Sequence, residues 1–199
     1  MKQWFVLLMV LVCSSLSAQS EVKLDAAEKR KLNTFFSNFS ESGVESFKRG
    51  ALSDQAMIDF ALDHNYKNRF DKLKKSKDAM SVEITAAQVD TTCTKYFGRT
   101  PATHTAAVYR KPCADGEAYV FSQIDRLSKT PTGELFAEGS LYSTGSGNVV
   151  DPHGTPADWK KSSEAVDETD VFFATIAKID GRYVLLEYDV RPIARNTHR

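Results

Sequence analysis

The sequence predicts an α+β domain, with N-terminal helices packed on a twisted antiparallel sheet drawn from the second half of the chain. Three observations carry that prediction. Apolar residues recur at helical spacing as far as Gly98, and they alternate after about residue 106. Asp180-Gly181, a preferred two-residue hairpin turn, separates the two clearest alternating runs.

The first helix opens at Asp25-Ala-Ala-Glu28. This reads as a capping box, with Asp25 accepting an orphan backbone N–H and Glu28 reaching back. Leu32, Phe35, Phe36 and Phe39 follow as an apolar stripe that must pack against something. Ser53 is placed to cap a second helix carrying Met57, Ile58, Ala61 and Leu62. Residues 81–84 read as a short strand. Thr85-Ala-Ala-Gln88, a second capping box, then opens a helix with Val89, Cys93, Tyr96 and Phe97 on one face, and Gly98 ends it.

Residues 106–111, 117–127, 134–142, 170–179 and 182–190 read as strands of one sheet of four to six strands. A two-residue turn at Asp180-Gly181 pairs Ile179 with Arg182. Continued without interruption, that register puts Val171, Phe173, Thr175 and Ala177 on the core face with Val190, Tyr188, Leu186 and Val184. Phe172, Ile176 and Leu185 then share a mixed outer face with Lys178, Glu187 and Asp189. Residues 143–169 break the alternation. They are about 27 mostly polar residues, beyond the roughly 12–15 at which an unstructured loop becomes unusual, and so read as a binding element or a mobile connector.

The start, MKQWFVLLMVLVCSSLSAQS, has the three parts of a secretory signal: Lys2, the apolar run Trp4 to Val12, and the stretch Ser14 to Ala18. The expected organisation is therefore a signal peptide over 1–18 and one domain over 19–199, exported to the periplasm or secreted. Lipid anchoring at Cys13 is the lesser reading, because Val12 stands where a lipobox wants a small residue. No later segment is long and apolar enough to span a bilayer. Lys plus Arg equals Asp plus Glu at 26 each, so no global charge recruits nucleic acid. The run from Lys67 to Lys77 is locally basic and reads as a solvated helix end, with Phe70 and Leu73 as its anchors.

In an oxidising compartment Cys93 and Cys113 are expected to form a disulfide; its loop of about 20 residues would contribute roughly 3 kcal/mol on the chain-entropy model. Cys93 also lies on a helical stripe, where it reads as a small buried apolar residue.

No Gly-rich phosphate loop, HExxH, GxSxG or paired CxxC is present, and His64, His104, His153 and His198 are scattered. The sequence therefore assigns no catalytic residue, no metal site and no cofactor. Asp151-Pro-His153 puts a carboxylate and an imidazole on one loop, where turn formation competes with acid–base chemistry. Trp159 in the same loop either folds back onto the domain or stays open to a partner. Trp159, His153 and Asp151 form the candidate ligand-binding set. Asn38-Phe-Ser40 is a glycosylation sequon, relevant only to a eukaryotic source.

The runs VEITAAQVDTTCTKYFG and KIDGRYVLLEYDV resemble small exported proteins of Gram-negative gut-type bacteria. The order of helices followed by a long antiparallel sheet is similar to cystatin-like or NTF2-like folds, in which a curved sheet wraps a helix. The resemblance implies a concave pocket and nothing about its contents. Some NTF2-like enzymes place an Asp or His base in the cone, and no residue here matches one. The expected function is a non-enzymatic binding or interaction module of the cell envelope, with an unknown ligand or protein partner. Its rivals are an NTF2-like isomerase or hydrolase, and an envelope-assembly subunit docking through Phe172, Ile176 and Leu185.

Overall fold

Local signals decide most of the element boundaries. The computed structural model describes residues 20–77, 80–113, 118–145, 148–161 and 165–193. The segment 1–18 and Cys13, with the export and anchoring expectations, lie outside the described residues, as does His198. The chain runs β1 (Ser20–Glu21), α1 (Ala26–Glu41), α2 (Asp54–Arg69), β2 (Lys74–Lys75), β3 (Ser81–Thr85), α3 (Ala86–Phe97), β4 (Val108–Pro112), β5 (Tyr119–Lys129), β6 (Leu135–Thr144), α4 (Pro156–Lys161), β7 (Val166–Ile179) and β8 (Arg182–Pro192). Among the described residues no helix is long and apolar enough to cross a membrane.

The caps form largely as the sequence predicts. Ser53 accepts the Ala56 N–H at 3.1 Å, and both halves of the Thr85–Gln88 box are made. Gly98 closes α3 in the left-handed conformation, φ 69°, which a side chain rarely adopts. Asp25 accepts the Glu28 N–H at 2.8 Å, but the Glu28 carboxylate turns away to other partners and leaves that box half made.

Two antiparallel sheets form in place of the one expected. The larger has the order β1-β5-β6-β7-β8, and the smaller is β2-β3-β4. In the smaller sheet β3 and β4 pair across the intervening α3, from Ser81↔Pro112 to Thr85↔Val108, and bury Val82, Ile84 and Tyr109 towards α2.

Helix α1 joins the larger sheet to the other helices. Leu32, Phe36 and Phe39 are fully buried. The Phe36 ring lies 4.5 Å from that of Phe172 on β7, and Phe39 packs against Phe60 on α2, Phe97 on α3 and Tyr188 on β8. The same helix also seals a strand edge. Strand β1 covers only Ser128 and Lys129 of β5, leaving the N–H groups of Ser122 and Ile124 outside the ladder. Ser37 Oγ accepts the first at 3.0 Å and Asn33 Oδ1 the second at 2.9 Å. Buried backbone donors are thereby satisfied and the edge is closed to other chains.

The β7–β8 hairpin begins in the expected register, Ile179↔Arg182 through Ile176↔Leu185, with Asp180 at φ 50° and Gly181 at φ 78°. A bulge at Leu186 then changes it: Thr175 pairs with Glu187, Ala174 with Tyr188 and Phe172 with Val190. Because strand side chains alternate with period two, one extra residue moves everything beyond it to the other face. The core face of β7 is Phe172, Ala174 and Ile176, already paired with buried Leu185 before the bulge, and the bulge brings Tyr188 onto that same face; both correct the expected assignment. Val171, Phe173 and Thr175 are half-buried on the opposite face, where Phe136 stacks on Phe173 and Arg191 lies 5.0 Å over the Phe173 ring. Phe172, Ile176 and Leu185 are accordingly not an exposed docking patch.

The expected disulfide is also corrected: Cys93 and Cys113 are both free. Cys93 sits in the core with its thiol donating to the Met57 carbonyl at 3.3 Å, whereas Cys113 is exposed just beyond β4. Burial pushes the Cys93 thiol up to about 12, which keeps it protonated and unreactive.

Two measurements check this architecture. Phe36→Ala, which empties the contact with Phe172, is expected to cost about 3–5 kcal/mol in urea unfolding. A loss below about 1 kcal/mol would mean that α1 is not seated on the sheet. Peptide-resolved alkylation without reductant should label Cys113 in the native protein and Cys93 only after unfolding. A linked Cys93–Cys113 peptide would contradict the free thiols.

Candidate functional site

Glu28, Lys31, Phe35 and Asn38 recur at three- and four-residue spacing and therefore share one face of α1, beside the stripe that packs on the sheet. The last turn of α3 brings Lys95 and Tyr96 to that face, and the β7–β8 turn brings Lys178, Arg182 and Tyr183. Together they line a cleft of about 260 Å³. Its floor is aromatic. The Phe35 ring lies 6.1 Å from Tyr96, nearly parallel, and 5.8 Å from Tyr183.

Glu28 is the cleft's one carboxylate. Its Oε1 accepts from the Tyr183 hydroxyl and lies 3.4 Å from Lys178 Nζ, while Oε2 lies 3.1 Å from Lys31 Nζ. The Tyr183 hydrogen bond, ahead of the two lysines, holds the Glu28 carboxyl below its ordinary pKa. Burial first, and Glu28 second, raise the Tyr183 phenol, so it remains a donor.

The remaining cations have no such partner. Lys95 Nζ lies 3.1 Å from the Tyr96 hydroxyl and 4.7 Å from its ring centroid, and burial followed by the Arg69 charge lowers its pKa. Neither Lys95 nor Arg182 has a carboxylate partner among the described residues. Four cations thus face one carboxylate, an excess of three positive charges. Asn38, the sequon residue, is buried beside them with Nδ2 donating to the Thr34 carbonyl at 2.6 Å. Behind Tyr96, burial and then Lys95 and Arg69 push His64 down to about 4, so it is neutral at pH 7.

Asp151, His153 and Trp159 come together on a different part of the molecule, within a segment fastened across β5. Trp159 folds back into a small cluster with Phe121 and Val150, and its Nε1 donates to the Asp151 carbonyl at 2.8 Å. The Asp151 carboxylate accepts the backbone N–H of His153, a turn contact that leaves the imidazole out. Gln123 Nε2 donates to the carbonyls of Pro152 and Gly154. The loop expected over 143–169 is shortened by the growth of β6 to Thr144 and of β7 back to Val166, with α4 between them.

Two other features are candidates of a different kind. A groove of about 480 Å³ runs between Ser42 and Phe60, and its only ionisable lining residues are Glu45 and Asp59. His104 bridges Asp90 on α3, at 3.0 Å, and the Tyr109 hydroxyl on β4, at 2.9 Å, and so joins the two elements. Among the described residues no group of three or more His, Cys, Asp or Glu side chains is placed to hold a metal ion.

Sequence reasoning missed the cationic cleft because its residues come from three segments up to 155 positions apart. The one local signal, Glu28, also fits a capping box. No known family, curated protein or solved structure matches the chain.

The Glu28 contacts imply a pH dependence. Its folded pKa lies below the ordinary value of 4.5, so the contacts stabilise the fold above that pH and are lost as pH falls through the folded pKa. Glu28→Gln should lower stability by less than about 1 kcal/mol at pH 7, since the pairs are solvent-screened. The difference from wild type should shrink below pH 4.5, as read by denaturation midpoints from pH 7 to pH 3. A difference that grows in acid would refute the arrangement.

Proposed function

We propose that the protein is an exported, non-enzymatic binding module of the cell envelope, and that it holds its ligand in the cleft between α1, α3 and the β7–β8 turn. The observation carrying this reading is that Lys95 and Arg182, neither in an ion pair among the described residues, line one cleft over an aromatic floor. A concave, partly apolar site with a few converging polar groups is the usual form of a ligand site. Export rests on the signal-like start of the chain.

The layout supports a cystatin-like resemblance over an NTF2-like one. A short strand, a helix and a four-strand meander follow one another, and the first strand pairs with the meander's first. The elements α2, β2–β4 and α3 are inserted after that helix, and α3 supplies one wall of the cleft. The rival enzyme reading needs a cavity in the cone of the sheet, where the Phe36 and Phe172 rings stand 4.5 Å apart.

The test is an NMR titration of the purified protein with a panel of envelope saccharides, lipid head groups and small metabolites. A saturable response is expected at Lys95, Tyr96, Arg182 and Tyr183, weakened at least about tenfold by Lys95→Glu with Arg182→Glu. A response confined to 148–161 would return the ligand to Asp151, His153 and Trp159. Turnover of a panel member, lost on mutating the cleft, would replace this reading with an enzymatic one.

A further inference from the structure

The chemistry of the cleft narrows the kind of ligand, provided that the cleft is the binding site proposed above. Glu28 is an internal example of what these walls accept. One carboxylate oxygen takes the Tyr183 hydroxyl and Lys178, and the other takes Lys31. An oxyanion already sits among donors from a helix and a hairpin, while Lys95 on α3 and Arg182 on β8 face the same cleft with no carboxylate partner among the described residues. We propose that the cleft binds a phosphate monoester through Lys95, Lys178 and Arg182, with Glu28 as a built-in competitor for Lys178.

Charge and shape both favour this group. An excess of three positive charges remains net positive after taking up a dianion, whereas a monoanion leaves two charges uncompensated. A phosphate directs its oxygens tetrahedrally and can meet donors arriving from several walls, whereas a carboxylate presents two oxygens in one plane. The guanidinium of Arg182 suits two phosphate oxygens at once, and the lysines act as point charges on the others. The lining of Phe35, Tyr96 and Tyr183 offers apolar surface to whatever carries the phosphate. The alternatives lack this convergence: the larger groove is lined by carboxylates, and His104 is already held on both ring nitrogens.

Glu28 makes the proposal specific. As an internal rival it weakens the site for an external phosphate, so its removal should strengthen binding even though it slightly weakens the fold. A cleft that binds neutral ligands through its rings predicts no such gain.

The experiment titrates glycerol 1-phosphate into the wild-type protein, Glu28→Gln and Lys95→Glu/Arg182→Glu, following amide shifts and calorimetry at two salt concentrations. Glycerol is the neutral control. The expected result is a saturable response at Lys95, Lys178, Arg182 and Tyr183, weaker at high salt and absent with glycerol. Affinity should rise about threefold or more in Glu28→Gln and fall at least about tenfold in the double variant. A second arm compares phosphatidylcholine vesicles with and without phosphatidic acid. Binding only to the phosphatidic acid vesicles assigns the monoester to a lipid, and binding to glycerol 1-phosphate assigns it to a soluble ligand. Failure of both phosphate probes to move the cleft resonances overturns the phosphate proposal. If a neutral saccharide moves them instead, the cleft remains a binding site and only its ligand class is wrong. Unchanged affinity in Glu28→Gln overturns the competitor role, and release of inorganic phosphate overturns the non-enzymatic reading beneath it.

Discussion

The fold depends on how α1 meets the larger sheet. That helix must bury Leu32, Phe36 and Phe39 and, on an adjacent line, present Asn33 and Ser37 to the unpaired N–H groups of β5. The apolar contacts supply the driving force, and the two hydrogen bonds set the position along the strand. A helix displaced by one turn would leave buried backbone donors unsatisfied, at a cost comparable to losing the hydrogen bonds outright. The same seating turns Glu28, Lys31, Phe35 and Asn38 towards α3 and the β7–β8 turn.

The cleft is therefore a by-product of core packing on one side and a collection of under-compensated charges on the other. Phe35 belongs to both: it is in edge contact with Phe36 and Phe39 within the core and forms the floor between Tyr96 and Tyr183. Such an arrangement is stiff where it touches the core and adaptable where long cationic chains reach solvent. Lys31 and Lys178 have side-chain exposures of 70% and 52%, so ordering them around a ligand costs rotamer freedom that binding must offset.

Glu28 and Trp159 show how local reasoning can succeed on structure and miss chemistry. The motif beginning at Asp25 does cap α1, but the Glu28 side chain finds the Tyr183 hydroxyl and the Lys178 ammonium across the cleft, and Lys31 on its own helix, instead of its own backbone. Trp159 draws attention as an aromatic in a polar loop, yet it serves as the fastener of that loop, with its indole N–H satisfied by Asp151. The hairpin register was legible at its turn, where Asp180 and Gly181 set the geometry, and ceased to be legible at Leu186. No residue type there marks a bulge, because the sequence on either side alternates plausibly in both registers.

The sequence by itself determined what depends on neighbours along the chain. That includes the caps at Ser53, Thr85 and Gly98, the turn at Asp180-Gly181, the helical stripe of α1, and the change from helical to strand periodicity. Only the tertiary structure decided the separation into two sheets, the core face of β7, the free state of Cys93 and Cys113, and the meeting of Lys95 with Lys178 and Arg182. Caps and turns are set by hydrogen bonds and backbone angles within a few residues. Faces, thiol partners and charge clusters depend on which distant elements come to rest together: Phe36 of α1 packs on the Phe172 face of β7, and the bulge at Leu186 turns Tyr188 onto that face.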